Sequence, residues 1–149
     1  MIQFFADLWN NMPLKCATVS WCVAQGIKVL ISLWLDKKLD WRRCFGMGGM
    51  PSSHSAFVFS LMLSIGMQET VASPAFALAF ALAAVVIYDA MGVRRETGKQ
   101  GEVLNQIISQ VLVEGKPITE KQLKELVGHS PLEVVGGVIV GALVTLFFL

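Results

Sequence analysis

Residues 46–67 read GMGGMPSSHSAFVFSLMLSIGM, a glycine-rich polar loop that leads directly into an apolar run. The glycines free the backbone to bend and to present N–H groups to an anion. The hydroxyls of Ser52 and Ser53 suit phosphate oxygens, and the imidazole of His54 can move a proton at neutral pH. Either serine would also cap a following helix. The stretch by itself therefore fits a binding site or a simple helix start.

The composition places the chain in a membrane. Of its 149 residues 54% are apolar and 15% are charged, and the mean hydropathy is +0.61. Soluble domains carry about 25% charged residues, so this balance favours lipid surroundings over a large aqueous core. Repeats and linker-like stretches are absent, which predicts a single domain over residues 1–149. The net charge of +1 neither favours nor excludes nucleic acid; we expect membrane lipids, and no nucleic acid, as partners.

Four apolar segments predict the fold class. They cover about Leu14–Leu35, Ala56–Met67, Pro74–Met91 and Pro131–Leu149. A helix needs about 20 apolar residues to cross a bilayer. The second segment is therefore short, and we expect it to be tilted, partly re-entrant or continuous with the Pro51 loop. The pattern predicts an all-α, polytopic membrane helical bundle of about four spanning helices.

Lysine and arginine are distributed unevenly between the two faces that these spans define. The loops at residues 36–54 and 92–130 share one face. That face carries Lys37, Lys38, Arg42, Arg43, Arg94, Arg95, Lys99, Lys116, Lys121 and Lys124. The opposite face carries only Lys15. The positive-inside rule places both loops in the cytoplasm and both termini outside, and we expect the plasma (inner) membrane.

The loop at residues 92–130 contains two amphipathic patterns. Apolar residues recur at helical spacing from Val103 to Leu112, and a shorter pattern runs from Thr119 to Val127. Such helices lie on a membrane surface or cover the ends of spanning helices. We predict one or two cytoplasmic amphipathic helices here.

Charged residues also mark the ends and the interior of the spans. Asp89 lies at the cytoplasmic end of the third segment, where Arg94 or Arg95 is its obvious partner. Two arginines after a span are also ordinary topology markers. Lys28 lies about two turns inside the first segment and must snorkel, pair or face a polar cavity. We favour an inward role that adds positive charge beneath a site.

A third cluster, HSPLE at residues 129–133, opens the last segment. His129 and Glu133 are four residues apart and would share a helix face, so the carboxylate would orient the ring. An imidazole oriented in this way is a competent nucleophile or base. The alternative is structural, with the histidine as a cap and the glutamate favouring the helix N-terminus.

Together these clusters resemble the divergent branch of the PAP2 (type 2 phosphatidic acid phosphatase) superfamily, which is related to acid phosphatases and vanadium haloperoxidases. The resemblance covers nearly the whole chain. It is carried by the Lys28 helix, KKLDW at 37–41, GGMPSSHS at 48–55, YDAMGVRR at 88–95, residues 100–105 and GHSPLEV at 128–134.

The resemblance implies a role for each matching residue. A Pro-Ser-Gly-His motif of the superfamily binds phosphate and supplies an acid; it corresponds to residues 51–54, with Ser53 where glycine is usual. A His-x-x-x-Asp motif supplies the attacking histidine and its orienting carboxylate, here His129 and Glu133. The usual arginine before that histidine is absent, so Arg94 or Arg95 would replace it. The implied catalytic residues are His129, His54 and Glu133; the phosphate-binding residues are Ser52, Ser53, Arg94, Arg95, Lys28 and Lys38; Asp89, Gly48 and Gly49 would support them.

The activity implied is hydrolysis of a lipid phosphate monoester or pyrophosphate through a phosphohistidine, with no cofactor. The alternative is a non-catalytic lipid-phosphate-binding protein, or a transport-assisting scaffold, that retains the anion pocket. A metal site is a third hypothesis, because His54, His129, Asp89 and Glu133 have ligand types that suit zinc or manganese. The nearby lysines and arginines oppose a cation, and we expect no metal.

Small residues mark two of the segments. Residues 137–141 form a GxxxG pattern, and Ala77, Ala81 and Ala84 form a stripe on the third segment. Such faces let helices pack closely in lipid. They serve packing within the chain or a homodimer; four helices enclose little volume, which slightly favours the dimer.

Overall fold

The described part of the chain is almost entirely helical. A computed structural model describes residues 1–36, 49–92, 100–101, 104 and 130–149. The described residues contain no strand, which confirms the all-α fold class. The principal helices are α1 (Ile2–Asn10), α2 (Met12–Asp36), α3 (Ser53–Gln68), α4 (Pro74–Met91) and α5 (Pro131–Phe148).

The helix starts are set by local capping. The side chains of Asn11, Ser52, Ser73 and Ser130 each accept a backbone N–H from the first turn of α2, α3, α4 and α5. Proline follows the cap in α4 and α5, where its missing N–H has no intrahelical role. The sequence predicts both bounds of α4 as they are observed. It misses α1, a short helix whose Trp9 ring lies 5.2 Å from the Lys15 ammonium.

Among the described residues, three helices are long and apolar enough to cross a membrane, namely α2 over Met12–Trp34, α4 and α5. With 16 residues, α3 is about 24 Å long, against about 30 Å of hydrocarbon. It packs against α2, α4 and α5 and is therefore the central helix of the described bundle. The predicted amphipathic helices at 103–112 and 119–127 lie outside the described residues, apart from Leu104.

The contact between α3 and α5 is a close approach of two backbones. A methyl group on Gly137 would overlap the carbonyl oxygen of Ser52, and one on Gly141 would lie 2.7 Å from that of Ala56. One turn further, the hydroxyls of Ser60 and Thr145 lie 2.7 Å apart. These pairs progress in the same direction with a constant offset, so α3 and α5 are parallel.

The two small-residue patterns differ in outcome. The GxxxG pattern packs against α3 of the same chain, which is the first of the two roles expected for it. On α4 the alanines that pack inward are Ala79, Ala83 and Ala90, and the predicted stripe of Ala77, Ala81 and Ala84 is exposed. Contact of the Phe76 ring with Gly66 selects this other face of α4. The homodimer stays a prediction that the GxxxG pattern no longer supports.

Gly137→Ala and Gly141→Ala are each expected to lower the free energy of unfolding by about 1–3 kcal/mol, because the added methyl forces the two backbones apart. Gly26→Ala is the matched control, since nothing lies within 4 Å of the position that its methyl would take. Replacing this helix-interior glycine is expected to stabilise by about 0.5–1 kcal/mol. Thermal unfolding in one detergent compares the three variants, and equal midpoints for all of them would contradict the close packing.

Candidate functional site

Parts of all four long helices meet at one end of the bundle. The backbone N–H of Ser52 donates to the carbonyl oxygen of Glu133 at 2.8 Å, which joins the starts of α3 and α5. Gly49, three residues earlier, lies against the Lys28 side chain of α2. We call Lys28, Gly49, Ser52 and Glu133 the Lys28 cluster. Because α3 and α5 are parallel, the positive ends of both helix dipoles point towards this end.

Lys28 is buried, with 6% of its surface exposed. It lies eight residues before the end of α2, about 12 Å along the helix axis, so the loop of Gly49 runs alongside α2 and not beyond it. The Glu133 carboxylate acts electrostatically on the Lys28 ammonium. A buried ammonium in a membrane span requires such a partner. Lys28 therefore points inward, as the sequence predicts.

Gly49 is required by its backbone. Its φ is +89°, a conformation that side chains disfavour. A methyl group there would lie 3.5 Å from Cγ and Cδ of Lys28, which is ordinary contact. The glycine is thus explained by the left-handed turn and not by lack of space. The turn lays the loop over the aliphatic part of the lysine.

The first two serines of the motif are both buried, and one has a clear structural role. The Ser52 hydroxyl accepts the backbone N–H of Ser55 at 3.3 Å and the Ser55 hydroxyl at 3.0 Å. Its own N–H is bonded to Glu133. Ser52 is therefore the cap of α3, the structural role that the sequence left open beside phosphate binding. Ser53 is 3% exposed and begins the helix.

Glu133 has two observed roles. Its carboxylate accepts the backbone N–H of Ser130 at 3.0 Å, while the Ser130 hydroxyl accepts the N–H of Glu133 at 3.3 Å. This is a complete capping box. The cap is Ser130 and not His129, which lies outside the described residues. The same carboxylate faces the charge of Lys28.

His54 lies on another face of α3 from the one that meets α5. With Phe57 and Val58, its neighbours at i+3 and i+4, it lines a cavity of about 360 Å³. Thr18 and Trp21 of α2 and Val86 of α4 complete the wall. Sequence reasoning did not find this cavity, because nothing in the spacing of α2 or α4 says which of their residues will face His54.

Asp89 is half-buried near the end of α4. It follows Val86 by three residues, so it lies about one turn beyond the cavity on the same side of the helix. Its predicted partners, Arg94 and Arg95, lie outside the described residues. So do Lys38, Gly48 and His129, and the approach of His54 to His129 stays a prediction. No group of three or more metal-ligating side chains occurs among the residues that the structure describes.

A double-mutant cycle of Lys28→Met and Glu133→Gln is expected to give a coupling energy of about 0.5–3 kcal/mol, because Glu133→Gln removes the negative charge that favours the buried Lys28 ammonium. Glutamine still accepts the Ser130 N–H, so the capping box is retained. Chemical unfolding in detergent measures the cycle.

The matched control for this cycle replaces Glu133→Gln by Glu69→Gln, at the exposed carboxylate that ends α3 on the opposite side of the bundle. This pair is expected to be additive within about 0.5 kcal/mol. Additivity of Lys28→Met with Glu133→Gln as well would contradict the buried interaction.

Comparison with known proteins agrees with this architecture. The model of the Divergent PAP2 family matches residues 9–144. The chain is 37% identical over 150 residues to the uncharacterized membrane protein YuiD of Bacillus subtilis (strain 168), covering 94% of this chain and 95% of that protein. No solved structure matches the chain. The match over nearly the full length shows that this integral membrane protein belongs to the Divergent PAP2 family.

Proposed function

We propose that this protein is a membrane phosphatase that hydrolyses a lipid phosphate monoester or pyrophosphate through a phosphohistidine, at the cytoplasmic face of the plasma membrane. The observation that carries the proposal is the Lys28 cluster, which gathers a buried cation and two helix N-termini at the end of the bundle where His54 lies. Helix N-termini and cations are what a phosphate group needs around it.

The reaction proceeds in two displacements. The His129 ring attacks phosphorus, the bond from phosphorus to the lipid oxygen breaks, and His54 protonates the departing oxygen. A water molecule then attacks the phosphohistidine, gives up a proton to His54 and releases inorganic phosphate. The Glu133 carboxylate steadies the positive charge that the His129 ring gains. Positioning and charge neutralisation provide most of the rate in phosphoryl transfer.

The balance of charge between the phosphate group and the Lys28 cluster assigns roles to the other lysines and arginines. Glu133 offsets part of the Lys28 charge in the free protein, whereas a phosphate monoester brings close to two negative charges. Lys38 and Arg94 or Arg95 are therefore proposed to supply the balance from the cytoplasmic loops. Ser53 and the backbone at Gly48 and Gly49 hold the phosphoryl oxygens, and Asp89 orients an arginine.

A second function is favoured by one specific observation. The Ser52 hydroxyl and the Glu133 carboxylate are both engaged in helix caps. Groups committed to capping are suited to holding a fixed pocket, which is all that a lipid-phosphate binder or a transport-assisting scaffold requires. In that case the anion pocket is retained without turnover.

Phosphate release from a panel of lipid phosphates and pyrophosphates, with the purified protein in detergent plus a chelator, tests the proposal. His129→Ala is expected to abolish release, and His54→Gln to lower kcat by about 10²–10⁴-fold, the range for loss of a general acid. Acid-labile, base-stable phosphate is expected on the wild-type protein during turnover and not on His129→Ala.

Ser73→Ala is the control, because it removes a helix cap at the far end of the bundle and is expected to leave kcat unchanged. Absence of release from every substrate, with tight binding of the same lipids retained, would replace the phosphatase by the binder. Equal activity of His129→Ala and wild type would overturn the phosphohistidine.

A further inference from the structure

We infer that the cavity beside His54 is a binding site for one hydrocarbon chain of a membrane lipid, entered sideways between α2 and α4. The inference rests on the proposed function only in taking the chain to be that of the phosphate substrate. The cavity itself, and its opening to lipid, stand on the geometry of three helices.

The gap between α2 and α4 creates the site. Both helices pack against α3, but in the described part of the chain their backbones do not approach one another closely. Phe57 and Val58 of α3 therefore form the floor of a groove whose two walls are Trp21 and Val86. Each wall helix is long and apolar enough to span the membrane. A groove between two spanning helices opens towards lipid chains.

The lining suits hydrocarbon. Trp21, Phe57, Val58 and Val86 are apolar over most of their surface. The Thr18 hydroxyl donates to the carbonyl oxygen of Leu14 in its own helix at 2.8 Å, so its polar group is already satisfied. The volume of about 360 Å³ lies within the usual range of about 300–1,000 Å³ for ligand pockets. Trp21, 38% exposed, forms the rim.

His54 is the polar element in this wall and ties the groove to the Lys28 cluster. It is the second residue of α3, two positions after Ser52, whose backbone N–H is bonded to Glu133. A lipid whose chain fills the groove would present its head group towards the end of the bundle where this histidine lies. The groove would thus select a substrate by the shape of the hydrocarbon segment next to the head group. That segment lies beside the lipid oxygen that His54 is proposed to protonate.

The expected effect of a substitution in the groove depends on the shape of the new side chain and not on its hydrophobicity. A chain in a bilayer or micelle is already out of water, so burial in the groove adds van der Waals contact without a large hydrophobic gain. A bulky side chain that fills the groove should therefore exclude the chain sterically. Val86→Trp fills it, and Val85→Trp is the matched control, since Val85 is the next residue and is 67% exposed outside the groove.

The test uses phosphatidic acid with a photoreactive diazirine near the head-group end of one chain, in nanodiscs of unlabelled phosphatidylcholine. Labelled residues are mapped by mass spectrometry, a readout that requires no turnover. Wild type and Val85→Trp are expected to label at Trp21, Phe57 and neighbouring positions. Val86→Trp is expected to reduce this labelling at least about fivefold, and Phe57→Ala, which enlarges the groove, to maintain or raise it.

Two results would overturn the inference: equal labelling of the groove in Val86→Trp and Val85→Trp, or labelling spread evenly over lipid-facing positions with no preference for the groove. Measuring phosphate release from the same variants distinguishes failure of the chain site from failure of the proposed function. Groove labelling without release from any lipid phosphate would leave the chain site and remove the phosphatase. If Val86→Trp does not alter phosphate release and labelling is spread evenly over lipid-facing positions, the phosphatase would stand and the chain site would be removed.

Discussion

The fold depends on the close approach of α5 to α3 at Gly137 and Gly141. In lipid, apolar side chains gain little by leaving one apolar surrounding for another, so helices associate through close contact and buried hydrogen bonds. The glycines remove the side chains that would hold the two backbones apart. Once the helices touch, the hydroxyl pair of Ser60 and Thr145 sets their register further along. The relative position of Ser52 and Glu133 at the site end follows from this contact.

The first consequence is electrostatic. The glycine contact brings the start of α5 beside the start of α3, so that Glu133 lies within the influence of buried Lys28. The carboxylate serves both as part of a capping box and as the counter-charge of the lysine. Under the proposed function a phosphate group therefore needs further cations, which are assigned to Lys38 and to Arg94 or Arg95.

The second consequence is geometric. The central helix offers different faces to its neighbours, with Ala56 and Ser60 towards α5 and His54, Phe57 and Val58 towards the gap between α2 and α4. The histidine of the motif therefore lies between a polar cluster and an apolar groove. Lipid phosphates have the same division between head group and chain. The proposed function and the chain site follow from that correspondence.

Local features of the chain were predictable because the forces behind them act within about four residues. A cap at Ser52 or Ser53, the proline at the start of the last helix and the apolar runs predicted the long helices, and the motifs identified the family; the caps at Ser73 and Ser130 are seen only in the structure. The packing face of α4, the partner of the GxxxG pattern and the cavity wall were not predictable, because they depend on which residues meet across helices far apart in the chain. The exposed alanines Ala77, Ala81 and Ala84 have the same helical spacing as the alanines of α4 that pack inward, so spacing alone does not distinguish the two faces. Only the contact of Phe76 with Gly66, and the short α3 between its three neighbours, decided which face turned inward.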